Sequence, residues 1–202
     1  MAITPRQFEQ MQARLGGPKR RPAPVFESAL RTASSKNQIV IGVDPSLRAT
    51  GYGVIQAAGP CARALAHGTI VCPAGWERSR CLARIAQTLR EVVARHRPTV
   101  CAIEGLFYAQ NLQTALIMGE ARGAALAALA EAGLEIFEIA PRKVKQAIVG
   151  YGAAQKTAVG KMVQRLLQLA AAPAPDAADA LAVALAHLQA SHRFGLGAPK
   201  KV

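Results

Sequence analysis

The chain has 202 residues, 51% of them hydrophobic, enough for one compact domain with a buried core. Its 25 Lys and Arg against 12 Asp and Glu leave a formal net charge of +13, a balance that suits a polyanionic partner, nucleic acid before anionic lipid. No run of about 18 uncharged apolar residues offers a membrane span, and the opening MAITPRQFEQMQARL lacks the apolar centre of a secretory signal, so a cytoplasmic protein is expected.

Residues 1–37 read as a basic extension, expected to be flexible, in which Arg6, Arg14, Lys19, Arg20, Arg21, Arg31 and Lys36 are opposed only by Glu9 and Glu27. Two readings stay open for it, a DNA-binding arm and a disordered basic tail. The folded domain is expected over residues 38–190. IVIGVD is a buried strand ending on Asp44; after a turn over Pro45 to Arg48, TGYGVIQA is a second strand and Arg63 to Val71 a third, together an antiparallel meander. An amphipathic helix over about Gly75 to His96 carries Leu82, Ile85 and Leu89 at helical spacing. TVCAIE is a further buried strand, again ending on an acid, Glu104. A loop with Phe107, Tyr108 and Asn111 leads into a helix running to about Ala132, on which Gly119, Gly123 and Ala127 are candidates for core or dimer contact. Leu134 to Ile139 is the fifth strand. Helices follow over about Arg142 to Val149, Lys156 to Leu169 and Asp176 to Gln189, the last behind the breaker Pro173 to Pro175. Residues 191–202 form a basic C-terminal tail expected to be loose. The order predicts an α/β fold, a mixed five-stranded sheet flanked by helices on both faces.

Asp44, Asp176 and Asp179 are the only aspartates of the chain, and each stands at a strand end or in the first turns of a helix. Ligands gather at strand ends in α/β sheets, so Asp44 and Glu104 converge if their strands are neighbours. Asp176 and Asp179, three apart, share one helix face. Singly, Asp44 could open a turn and Asp176 could complement a helix dipole. Glu104 has fewer such excuses, and Asp179 would be costly to bury unpaired in an Ala-rich helix. Taken together the four form a cluster of hard oxygen donors suited to Mg²⁺, with Mn²⁺ as a substitute. Two such ions about 4 Å apart activate water on one side of a phosphodiester and stabilise the leaving oxygen on the other.

Cys61, Cys72, Cys81 and Cys101 are too irregularly spaced for a zinc knuckle and are read as buried thiols. His67, His96, His187 and His192 show no metal-binding spacing. GYGAAQKT over 150–157 has Gln155 where a phosphate-binding loop needs Gly, which excludes nucleotide hydrolysis. Phe107 and Tyr108, adjacent in a loop just past an acid, are read as stacking on exposed bases, worth about 1–3 kcal/mol per base, with ordinary packing as the alternative.

The segments IGVDPSLRATGYGVI, AIEGLFYAQN, GEARG, VKQAIVGYGAAQK and DAADALAVALAH, spread over about residues 39–190, resemble the ordered motifs of the RuvC family of Holliday-junction resolvases. The resemblance implies a ribonuclease H-like fold, a homodimer, four-way junction DNA as substrate and symmetric Mg²⁺-dependent nicking in recombination and repair, with a branch-migration helicase complex as a further partner. It places the catalytic, metal-binding acids on Asp44, Glu104, Asp176 and Asp179, the same four reached from spacing. Phe107 falls on the family's base-contacting aromatic, and Lys145 and Lys156 on its DNA-binding basic residues. Two features depart from the pattern: Ser46 stands where the family usually has Gly after Asp-Pro, and the extension before residue 38 has no counterpart. Two other readings remain: a nuclease of the same fold acting on other branched or single-stranded DNA, and a junction-binding protein without catalysis.

Overall fold

The structure, a computed structural model, describes residues 38–58, 61–105, 111–192 and 200–202. Three antiparallel strands come first, β1 (Ile39–Asp44), β2 (Ala49–Ala58) and β3 (Cys61–Val71). Helix α1 (Arg78–His96) leads to β4 (Val100–Glu104), and α2 (Leu112–Glu131) leads to β5 (Glu135–Ile139). Helices α3 (Pro141–Val149), α4 (Lys156–Leu166) and α5 (Pro175–His192) follow, then a short strand β6 (Lys200–Lys201). The sheet order is β3-β2-β1-β4-β5-β6, with β1, β4 and β5 parallel. This is a ribonuclease H-like mixed sheet, with one strand more than the sequence predicts.

The extra strand corrects the reading of the C-terminal tail as wholly loose. Lys200 and Lys201 pair antiparallel with Glu138 and Phe137, the Val202 amide donates to the Ile136 carbonyl at 2.9 Å, and the Lys201 ammonium meets Glu135. Two lysines carry no apolar alternation, so this edge pairing is invisible to a period-2 pattern.

Alternation along the strands divides the core into two layers. Ile41 and Val43 of β1, Cys101 and Ile103 of β4 and Ile136 of β5 pack with Ile85 and Leu89 of α1 and Ala125 and Leu129 of α2. Val40, Val100, Ala102 and Ile139 face the other way, against α3, α4 and above all α5, through Leu181, Ala184 and Leu188. Helix α1 buries Cys81, Ile85, Leu89 and Val92 at helical spacing and stops at Arg97, left-handed at φ 47°, ψ 55°, just before Pro98. Helix α2 starts at Asn111, whose side chain accepts from the Thr114 amide at 2.7 Å. Its buried face is Ala121, Ala125, Ala128 and Leu129. Gly119 and Gly123 look into open space, so they do not serve the core.

Helix α5 lies in direct backbone contact with the sheet. A Cβ built on Gly42 of β1 would stand 2.1 Å from the Ala180 carbonyl oxygen, and one on Gly51 of β2 would stand 2.0 Å from the Asp176 carbonyl oxygen. Only glycine permits so close a crossing. The alanine-rich sequence of α5 is the other half of that fit, since Ala177, Ala180 and Ala184 are buried with little side chain to hold the helix away.

Candidate active site at the carboxyl ends of β1 and β4

Asp44 continues the row Val40, Gly42 and Glu104 the row Val100, Ala102, so both carboxylates emerge on the α5 side of the sheet. They end adjacent parallel strands one step beyond the Val43–Ile103 pairing. Helix α5, pressed onto Gly42 and Gly51, brings Asp179 and Asp176 over the same ends. All four acids are half-buried.

Burial first, then repulsion from Asp44, pushes the Glu104 carboxyl up to about 8. Asp44 is also raised, chiefly by burial; its hydrogen bond with Glu104 opposes the rise, and Asp179 and, less strongly, Asp176 add to it. Glu104 therefore keeps its proton to higher pH than an ordinary carboxyl, and through it shares a hydrogen bond with Asp44. Asp179 is met differently, by the Lys156 ammonium, whose Nζ lies 2.9 Å from its Oδ2. Lys156 opens α4 at the end of the helix where a cation is least favoured, and the hydrogen bond to Asp179 holds its own pKa up.

Among the described residues no three His, Cys, Asp or Glu side chains close into a formed metal cage. The donor set nevertheless fits a divalent cation. Its atoms are all carboxylate oxygens, and the positive charge now among them is a proton on Glu104 and the ammonium of Lys156. Half-buried carboxyls that retain a proton beside further carboxylates suit a hard, oxygen-seeking cation able to take the proton's place.

The turn after Asp44 is braced from both sides. Thr50, fully buried, accepts the Ser46 amide at 3.1 Å and donates to the Ser46 carbonyl at 2.5 Å. The Arg48 guanidinium donates to the carbonyls of Pro73 at 2.7 Å and Trp76 at 3.0 Å and to the Cys81 sulfur at 3.3 Å. The serine that departs from the usual glycine is thus held by a hydroxyl four residues on. On the opposite face of the sheet, buried Arg122 of α2 donates to the Glu104 carbonyl at 2.6 Å and pairs with Glu138. Sequence reasoning assigned no role to Arg48, Thr50 or Arg122; the available signal was a polar residue inside an otherwise apolar or small-residue motif.

Lys145 sits half-buried on α3, beside core-facing Val144. Lys156, not Lys145, is the lysine whose charge acts on Asp44 and Glu104. Phe107 and Tyr108 lie outside the described residues, as does the extension 1–37. All four cysteines are free; Cys72, Cys81 and Cys101 are buried as expected, while Cys61 is exposed. Among the described residues no helix is long and apolar enough to cross a membrane.

A family model described as crossover junction endodeoxyribonuclease RuvC matches residues 40–187. A protein of that name from Rubrobacter xylanophilus is 42% identical over 172 residues, covering 83% of this chain and 96% of the relative. Another from Halorhodospira halophila is 48% identical over 154 residues, covering 76% of this chain and 90% of the relative. Among solved structures, Thermus thermophilus RuvC in complex with a Holliday junction substrate superposes with a TM-score of 0.74 at 35% identity, over 82% of this chain and 99% of that one. The yeast mitochondrial Holliday junction resolvase Ydc2, 11% identical with a TM-score of 0.57 over 77% of this chain and 79% of that one, shares the fold.

Proposed function

The chain belongs to the RuvC family of crossover junction endodeoxyribonucleases, and from that premise we propose that it resolves four-way DNA junctions by hydrolysis at Asp44, Glu104, Asp176 and Asp179. The observation that carries the assignment is the meeting of two strand-end acids with two acids of α5, in a half-buried place where Glu104 keeps its proton to about 8. A divalent cation pair there, Mg²⁺ with Mn²⁺ as substitute, would supply water activation and stabilisation of the leaving oxygen. Asp44 and Glu104 hold the sheet side of that site and Asp176 and Asp179 the helix side.

Lys156 contributes from the solvent edge. Its side chain is 73% exposed although its ammonium touches Asp179, which leaves it able to meet a phosphate approaching the acids. Lys145 and Phe107 are assigned to DNA contact on the family resemblance, and Tyr108 as the aromatic adjacent to Phe107 in the same loop. We assign the homodimer to the outer face of α2, where Leu112 is 76% and Leu116 59% exposed, and where open space at Gly119 and Gly123 admits a second backbone. Two sites related by a two-fold axis then place one cut on each of two like strands.

The test is a purified-protein assay on a mobile synthetic four-way junction with Mg²⁺. Paired symmetric nicks are expected, lost in Asp44→Asn while junction binding persists. Nicking that survives Asp44→Asn, or faster cutting of flaps than of junctions, would overturn the assignment.

A further inference from the structure

Among the described residues Arg122 is the one Lys or Arg that is buried, at 7% exposure. A guanidinium out of water persists where its donors are satisfied, and both acceptors here lie at strand ends beneath the acid cluster. One terminal guanidinium nitrogen donates to the Glu104 carbonyl at 2.6 Å and the second terminal nitrogen pairs with the Glu138 carboxylate. Glu138 in turn lies across Gly105: a Cβ there would stand 3.2 Å from its Cγ and 3.3 Å from its Oε1. The Gly105 amide closes the last rung of the β4–β5 ladder on the Ile139 carbonyl at 2.9 Å. Glu138 shares its strand parity with Ile136, which packs in the α1–α2 layer, so the grip is applied from the face opposite Asp44, Asp176 and Asp179.

We propose that Arg122 and Glu138 are a positioning pair for Glu104. They hold the end of β4 from behind, so that the Glu104 carboxylate stands at the height of Asp44 and the cation site is set before DNA arrives. The inference rests on the reading of Glu104 as a metal-holding residue. A guanidinium suits the task because its rigid fork meets two acceptors at once; an ammonium in the same place reaches one well.

The experiment measures Mn²⁺ binding to the DNA-free full-length protein by calorimetry, alongside thermal melting, for wild type, Arg122→Met, Arg122→Lys, Glu138→Gln and Asp44→Asn. Partners that orient metal-binding residues are worth about 10–100-fold in metal affinity. Arg122→Met is accordingly expected to weaken Mn²⁺ at least about tenfold, with Glu138→Gln weaker than wild type and Arg122→Lys recovering part of the loss. A lower melting temperature with Mn²⁺ affinity unchanged would make the pair merely structural and overturn the proposal. If Arg122→Met does not fold, Arg122→Lys and Glu138→Gln decide by the same criterion. Asp44→Asn separates the two readings. Mn²⁺ binding that survives it overturns the site assignment and this inference together, whereas binding lost in Asp44→Asn and unchanged in the Arg122 and Glu138 variants overturns the positioning role alone.

Discussion

Gly42→Ala adds one methyl group at the crossing of β1 and α5 and moves no charge. The new Cβ would stand 2.1 Å from the Ala180 carbonyl oxygen, 2.8 Å from the Ala184 amide nitrogen and 2.9 Å from the Ala184 Cβ. Helix α5 must therefore retreat by about 0.9 Å, the shortfall of 2.1 Å against the 3.0 Å that Cβ contacts observe. Overpacking of this kind costs about 1–3 kcal/mol, a fall in melting temperature of roughly 2–12 °C for a chain of this size. Asp179 precedes Ala180 and moves with it. With Asp179 among the proposed catalytic acids, a displacement near 1 Å is expected to cost about 100-fold in rate. The assay is junction nicking at saturating Mg²⁺, with melting followed by circular dichroism. The control is Gly160→Ala on α4, where the added Cβ would meet the Ala178 Cβ at an ordinary 3.9 Å and nicking should stay near wild type. A folded Gly42→Ala protein that nicks within about threefold of wild type would refute the reasoning, because the site would then tolerate the loss of the α5 contact.

Three further outcomes are expected. Lys156→Gln should slow nicking at least about tenfold, within the range of single electrostatic contacts in active sites. Lys156 is mostly exposed although Asp179 is not, so their pair contributes little more than about 1 kcal/mol to stability, and a collapse in melting temperature would mark Lys156 as structural instead. His187, buried against Phe137, has its pKa lowered by burial. The unfolded chain then binds the proton first, so this contribution to stability is present above pH 6.5 and is lost as pH falls below it. His187→Gln should flatten the difference in urea midpoint between pH 7.5 and 5.5, and an unchanged slope would place the acid sensitivity elsewhere. Deleting residues 1–37 should weaken junction binding and make its salt dependence shallower, because seven Lys and Arg leave with the segment; an unaltered salt slope would make the extension a bystander.

The four acids proposed for the site could be picked out of the sequence because each stands at a boundary that local pattern can find. A continuous apolar run ends on Asp44 and another on Glu104, and a proline breaker precedes the helix of Asp176 and Asp179. The two-layer packing of the sheet followed from the same patterns, with Ile85 and Leu89 of α1 buried as their spacing required. Side-chain pairings between distant positions were not legible. Arg122 meets Glu138 sixteen positions on and Lys156 meets Asp179 twenty-three positions on. A single lysine in a chain of net charge +13 gives no local sign of which carboxylate it will reach. The strand at Lys200–Lys201 was missed for a related reason, since an edge pairing made by main-chain groups and two charged side chains has no apolar signature.

By itself, then, the sequence determined which residues end strands and begin helices, since those boundaries depend on neighbours within a few positions. That was enough to name the acids and the family motifs. Only the tertiary structure decided how they meet. Gly42 and Gly51 let α5 lie directly on β1 and β2, Arg122 holds the end of β4 from behind, and half-burial of Asp44 and Glu104 side by side raises both carboxyls. Close approach and dielectric are properties of several segments at once, and no stretch of sequence carries them alone.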